Sequence, residues 1–435
     1  MRIASRLVHR PLLALVGALL ALAACGGTVQ PGTFKPASIW VAAWAVSPAN
    51  AVPTAFNQPN NEQTFRAVVK PSVSSRGTVR LHFSNAFGTG PITLGSVHVG
   101  LHGSGAAVVP GTDVALTFGG QPSVTIAAGA TVLSDPAPLR FPYGATLAIS
   151  EYVAGSWPAL TQHNHTGLVT NYATPRGAGN ATSDTAGAAF TQKTGEYYLV
   201  DRVDVLGDYQ KTVAVLGSST TEGYGSDVDA FDDLVSDIAT DLHAAGRDDT
   251  AVVNLALTPD SVLAINVLIS NPAVVDRFAR DVLGLPGIGT VIQNTADVDL
   301  KVAHCSSAAT ILAGDQNVIA QAHAAHVRIL LAKVAPSTYC GANFPNGYGS
   351  RYPANTGQDA ERQALNAWMS TTQPSLVDGV TVQPPGADGV VDFSTSVTDP
   401  SNTGYLLPRY DIGDAAHLNA AGQALQAAAV PLDAL

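Results

Sequence analysis

The chain has 435 residues, of which 13% are charged, and a formal net charge of -11. No Lys/Arg cluster stands out in it, which argues against nucleic acid as a partner. The length exceeds one typical core, so two domains are expected, and 41 Gly with 27 Pro call for many loops and tight turns.

At the amino terminus, Arg2, Arg6 and Arg10 precede an apolar stretch from 11 to 24. That stretch is too short for a membrane-spanning helix and has the length of an export signal. It ends in Leu22-Ala23-Ala24-Cys25, which resembles a lipobox. The resemblance implies cleavage before Cys25 and a lipid on its thiol, so that the mature protein is tethered to a membrane without crossing it. An ordinary signal peptide with an incidental cysteine is the alternative. Residues 1–24 are therefore read as a signal peptide, and 25–38, with Gly, Pro and Thr, as a flexible tether. The expected location is extracytoplasmic: a lipoprotein of the cell envelope, or a secreted protein.

From 39 to 206 the pattern has period two. Val79, Leu81 and Phe83 alternate with Arg80 and His82, and Val97 and Val99 flank His98, with turn residues every dozen positions or fewer. This predicts a β-sandwich. His163-Asn-His165 sets two imidazoles on one face of a strand, but no third ligand is evident nearby and no metal site is expected.

From 207 to 435 the texture changes to short apolar runs alternating with helical stretches. The runs 213–216, 251–254, 290–292 and 328–334 read as buried parallel strands, and 308–326 and 359–370 as helices. Together they predict a three-layer α/β/α domain with a parallel sheet. Cys305 and Cys340 remain once Cys25 is set aside. In an exported chain an even remainder favours a disulfide, worth about 3 to 4 kcal/mol in the chain-entropy model; two separate buried thiols are the alternative.

The chemistry concentrates in two segments. The first is Val213-Ala-Val-Leu-Gly-Ser-Ser-Thr-Thr-Glu-Gly-Tyr-Gly225, where an apolar run ends at Gly217 and presents Ser219 at a strand's carboxyl end. Open α/β sheets place their reactive groups there. The second is Asp414-Ala-Ala-His417, whose acid and imidazole, three residues apart, are expected to share one face of a helical turn. The carboxylate can then fix the imidazole tautomer while the other ring nitrogen faces a nucleophile. Nucleophile, base and orienter point to acyl transfer. The α/β-hydrolase pattern Gly-x-Ser-x-Gly is excluded, because Thr220, Thr221 and Glu222 separate Ser219 from the next glycine. The acidic residues Asp227, Asp229, Asp232 and Asp233 read as a solvated face at a helix start.

A serine early in the domain with Asp-x-x-His near its end resembles the SGNH/GDSL hydrolase family, and the resemblance runs from about Trp40 to Leu435. Leu81-His-Phe-Ser-Asn-Ala-Phe-Gly-Thr89, Asp276-Arg-Phe-Ala-Arg-Asp-Val-Leu283 and Tyr410-Asp-Ile-Gly-Asp414 resemble the bacterial secreted branch that carries a β-rich domain ahead of the catalytic one. The resemblance implies a flavodoxin-like catalytic domain, Ser219 as nucleophile, His417 as base, Asp414 as its orienter, and no cofactor. It implies ester or acylated-carbohydrate substrates.

The sequence departs from the family pattern at three points. Ser218 stands where the family's first motif has aspartate, and a hydroxyl can partly replace that acceptor. Alignment of the second motif puts Pro259, which has no N–H, where a glycine N–H would line the oxyanion hole. Alignment of the third puts Val298 where an asparagine amide would. Each lost donor costs about 10² to 10³ in turnover; Asn294, Gln293 and Thr258 are the nearby groups able to stand in. Two readings follow: a serine ester hydrolase of impaired activity, and a catalytically inactive surface protein of the same fold that binds carbohydrate or acylated glycan.

Overall fold

In the computed structural model, residues 38–50, 60–157, 159–163, 168–263, 271–300, 305–336 and 356–435 are described. The readings of a signal peptide, of Cys25, of His165 and of Cys340 lie outside these residues. Cys305 is disulfide-bonded.

The amino-terminal part contains two antiparallel sheets. One orders its strands Ile39–Ala45, Val200–Gly207, Val79–Ser84, Thr131–Leu133; the other orders them Gln192–Thr194, Asn171–Ala173, Asn60–Val69, Leu147–Trp157, Ile92–Leu101, Val114–Ala115. The alternation in the sequence becomes the core between them. Leu81, Phe83, Val203 and Val205 from the first sheet and Phe65, Val97, Val99, Leu147 and Ile149 from the second form one buried cluster. Arg80 and His82 face away from it, Arg80 pairing with the buried Asp204 at 2.9 Å and His82 with Asp201 at 2.5 Å.

The carboxy-terminal part is a five-stranded parallel sheet in the order Thr250–Asn254, Lys211–Gly217, Ile288–Asn294, Arg328–Ala332, Gly389–Val391. The helices are α1 (Ser219–Glu222), α2 (Leu234–Ala244), α3 (Val274–Asp281), α4 (Ala296–Asp299), α5 (Ala308–Ala324), α6 (Thr356–Met369) and α7 (Ala420–Ala427). Both faces of the sheet are covered, which is why its strands read as continuous apolar runs. Val213 and Val215 pack with α2 and α7 residues such as Leu234, Ile238 and Ala427. Ala214 and Leu216 pack on the opposite face with α3, α5 and α6 residues such as Phe278, Ile311 and Trp368. The fifth strand, three residues long, is too short to leave a period. In chain order the sheet reads 2-1-3-4-5, so the direction of the connections reverses between Lys211–Gly217 and Ile288–Asn294. A crevice opens beyond the carboxyl ends of strands at such a reversal.

The change of architecture near residue 207 is not a break in packing, because residues 38–435 form one compact unit. The strand Ile39–Ala45 joins the halves: Val41 and Ala43 enter the sandwich core while Ala42 and Ala45 enter the core of the parallel sheet. Ala42 N–H donates to Thr212 Oγ1 at 3.0 Å, and Val252 N–H to Ser72 Oγ at 2.9 Å. The ranges 39–206 and 207–435 are thus two architectures within one body. Among the described residues no helix is long and apolar enough to cross a membrane.

One buried acid in this frame works against the fold. Asp315 of α5 is 1% exposed, and Gln293 Nε2 donates to its Oδ1 at a long 3.4 Å. Burial pushes its carboxyl up to about 7, against a smaller opposing effect of the Gln293 hydrogen bond. The folded protein therefore keeps a proton that the unfolded chain releases near pH 4, and stability falls as pH rises from about 4 to about 7. Asp315→Asn is expected to stabilise the protein at pH 8, by on the order of a few kcal/mol, with the advantage shrinking to nothing near pH 4. Thermal melts of both proteins across that range check the sign.

Candidate active site

Gly217 closes the strand at the switch point and Ser219 begins α1. The glycine is dictated by a close approach: a Cβ there would lie 1.8 Å from Thr221 Oγ1. Ser218, not Ser219, is the helix N-cap residue, and its side chain makes no capping bond. Its hydroxyl instead donates to both carboxylate oxygens of Asp297 on α4, at 2.7 and 2.8 Å. The carboxylate on Ser218 thus comes from the helix that follows the strand Ile288–Asn294.

Ser219 Oγ lies 2.7 Å from His417 Nε2, and His417 Nδ1 lies 2.5 Å from Asp414 Oδ2. The three residues form one hydrogen-bonded line beyond the carboxyl end of the strand Lys211–Gly217. The Asp414–His417 segment is not the helical turn expected. It is a bend with Ala415 in the left-handed region at φ 60°, shaped by Asp414 Oδ1, which accepts N–H of Ala416 at 3.0 Å and of His417 at 2.9 Å. Asn419 caps α7, its Oδ1 accepting from Gly422 N–H. Burial pushes the Asp414 carboxyl up, but the hydrogen bond and charge of His417 and the two backbone N–H groups outweigh it, holding it below the ordinary value. Asp414 is therefore ionised at neutral pH, as an orienting carboxylate must be.

The serine and histidine segments are fastened to each other. Gly225, at φ 101°, has no Cβ because one would meet Leu418 O at 2.3 Å. Gln423 of α7, 1% exposed, donates to Leu418 O at 3.0 Å and to Gly223 O at 3.3 Å, while its Oε1 accepts Leu234 N–H at 3.1 Å. Tyr224 packs edge-on against the His417 ring, centroids 4.6 Å apart. Gln423 carries no sequence signal beyond its place on the helix after His417.

α1 is also held by the ends of the neighbouring strands. Asn294, paired in register with Gly217, donates to Thr221 Oγ1 at 2.9 Å, and Asn254 donates to Thr221 O at 3.1 Å. Thr258 Oγ1 bonds Glu222, the last residue of α1. Gln293 Nε2 bonds Thr295 Oγ1 at 2.5 Å and faces Asp315. Asn294, Gln293 and Thr258, the groups able to stand in as oxyanion donors, each make a hydrogen bond to another partner.

Each of the two degenerate positions follows a residue bonded to the Ser219 segment, Thr258 to Glu222 and Asp297 to Ser218. Leu257 N–H donates to Gly217 O at 3.0 Å, which brings the Thr258-Pro259 segment alongside α1. Val298 is half-buried on α4, next to Asp297. Neither side chain has a donor. Ser218 O accepts the N–H groups of Thr221 and Glu222 at 2.9 and 2.8 Å, while among the described residues the Ser219 N–H meets no acceptor. It is one of the orphan donors that open every helix.

His163 Nδ1 lies 2.8 Å from Ser47 O, and its Nε2 faces Glu222. Among the described residues no group of three or more His, Cys, Asp or Glu is placed to hold a metal ion.

No protein-family model matches the chain, and no curated protein is significantly similar to it. Among solved structures it is similar to a G-D-S-L family protein from Desulfitobacterium hafniense, at 18% identity over 52% of this chain and 99% of that one, TM-score 0.36. It is similar to an aryl esterase from M. smegmatis, at 13% identity over 50% and 95%, TM-score 0.35. It is similar also to a family two carbohydrate esterase from Cellvibrio japonicus, at 12% identity over 90% and 95%, TM-score 0.29. These are proteins of the kind the sequence resembles; at such scores the likeness carries no argument about what the chain does.

Proposed function

We propose that the protein is an exported, lipid-anchored serine ester hydrolase of the SGNH/GDSL type. The observation that carries this reading is the line Ser219–His417–Asp414 at the switch point of the sheet. Ser219 Oγ attacks the ester carbonyl as its proton passes to His417 Nε2, and Asp414 holds the Nδ1 proton and the ring. The Ser219 N–H faces the developing oxyanion. Collapse of the tetrahedral intermediate expels the alcohol, which takes the proton from His417 and leaves an acyl group on Ser219. Water, deprotonated by the same imidazole, then adds to the acyl carbonyl, and as the acyl–Oγ bond breaks the imidazolium returns its proton to Ser219 Oγ and the acid leaves. The substrate class is an ester or acylated carbohydrate, and the side chains of the line need no organic cofactor for these steps.

A second reading, a non-catalytic protein of this fold that binds carbohydrate or acylated glycan, is favoured by Pro259, by Val298 and by the commitment of Thr258, Gln293 and Asn294 to other partners. Turnover decides between the two. Wild type is expected to hydrolyse an activated short-chain aryl ester slowly, because a good leaving group needs less oxyanion stabilisation, and Ser219→Ala is expected to abolish the activity. Pro259→Gly with Val298→Asn is expected to raise kcat by about 10² or more, with KM less affected, since such donors act mainly in the transition state. If wild type equals Ser219→Ala and the double variant is equally inert, the binding reading replaces the enzyme.

The tether rests on Leu22 to Cys25. Cys25→Ser is expected to move the protein from the membrane fraction to the soluble one; unchanged membrane association contradicts the anchor.

A further inference from the structure

We propose that the β-rich part is a working part of the active site: through His163 it clamps Glu222 and so sets the position of the nucleophile helix. The catalytic consequence rests on the hydrolase reading above; the clamp itself does not.

Glu222 ends the single turn that Ser219 begins, and it is 2% exposed. A carboxyl so placed has lost its water and needs partners. Its Oε2 bonds Thr258 Oγ1, and its Oε1 lies 3.4 Å from Nε2 of His163, itself 3% exposed. His163 comes from the short strand Gln162–His163, which pairs with Tyr197–Tyr198 in the β-rich part. Its Nδ1 faces the Ser47 carbonyl, which only accepts, so a proton sits on Nδ1. Nε2 then lies within ion-pair distance of the Glu222 carboxyl. The base of the clamp is fixed as well. Ser47 Oγ donates to Leu255 O at 3.1 Å and accepts from Arg277 Nη1 at 2.8 Å, and Arg277 is itself held by Asp260 and Asp281.

The clamp reaches Ser219 through one turn of backbone. Glu222 N–H donates to Ser218 O at 2.8 Å, so a shift of Glu222 moves the peptide that carries the Ser219 N–H. Its second jaw, Thr258, precedes Pro259. Loss of the clamp therefore misplaces the donor that meets the oxyanion and lowers kcat more than it raises KM.

His163→Leu, Glu222→Leu and the double variant, which leave no polar group at the contact, test this by amide hydrogen exchange followed by mass spectrometry, with kinetics on the activated aryl ester. Each single variant is expected to speed exchange in peptides spanning 213–226 by tenfold or more, with the strands Ile288–Asn294 and Arg328–Ala332 unchanged. Each is expected to lower kcat by tenfold or more with KM within twofold, and the double variant is expected to be no worse than the worse single, because all three break one contact. Unchanged exchange in 213–226 in both singles overturns the clamp, and additive losses in the double variant overturn the coupling. If His163→Leu does not fold, Glu222→Leu carries the same comparison. If wild type itself shows no Ser219-dependent turnover, the hydrolase reading fails, while the exchange data still decide the clamp.

Discussion

The contact on which everything else turns is the 2.7 Å approach of Ser219 Oγ to His417 Nε2, between residues 198 apart in sequence. Neither residue reaches it unaided. Ser219 stands on a four-residue helix, far too short to be stable by itself. The helix is built instead from outside, by Asp297 at its cap, by Asn254 and Asn294 along its side, and by Thr258 at its end. His417 stands on a bend with a non-glycine residue in the left-handed region, a conformation that costs energy and that the Asp414 carboxylate holds in place. Gly225 and Gln423 then fix the two segments against each other.

Much of this was legible in the sequence because it is local. Apolar runs bounded by glycine gave the strands, alternation gave the sandwich, and the offset of Ser219 from the next glycine excluded the nucleophile elbow. What could not be read was partnership across the chain. Nothing near Glu222 points to His163, and nothing near Ser218 points to Asp297, because side chains from elements far apart in the chain meet through topology and not through spacing. The bend at Asp414–His417 was misread for a related reason: the three-residue spacing suits a helical turn, but a carboxylate that accepts two of its own downstream N–H groups closes a tighter loop. Three residues weighed as replacement oxyanion donors were chosen by proximity in sequence, and each is used elsewhere.

The division into two regions also looks different once packed. A strand that alternates its side chains between the sandwich core and the core of the parallel sheet makes the β-rich region a wall of the half that carries Ser219 and His417. The polar residues gathered at that wall, Ser47, His163, Arg277, Asp260 and Glu222, are all buried. Ser47 bonds Leu255 and Arg277 across the junction, and Arg277 is paired with Asp260 and Asp281, so polar contacts as well as apolar packing tie the two regions together. That property suits a site whose chemistry depends on one short helix.

A tension remains at the centre of the account: a complete triad beside positions where a proline and a valine replace donors. Activation of Ser219 by His417 is the claim on which it rests, and covalent labelling reads that directly, whatever the natural substrate. Incubation with a fluorophosphonate, followed by peptide mass mapping, is predicted to modify Ser219 in the wild type and to lose the modification in His417→Ala. A wild-type protein that remains unlabelled, or a His417→Ala variant labelled at the same rate, would contradict it.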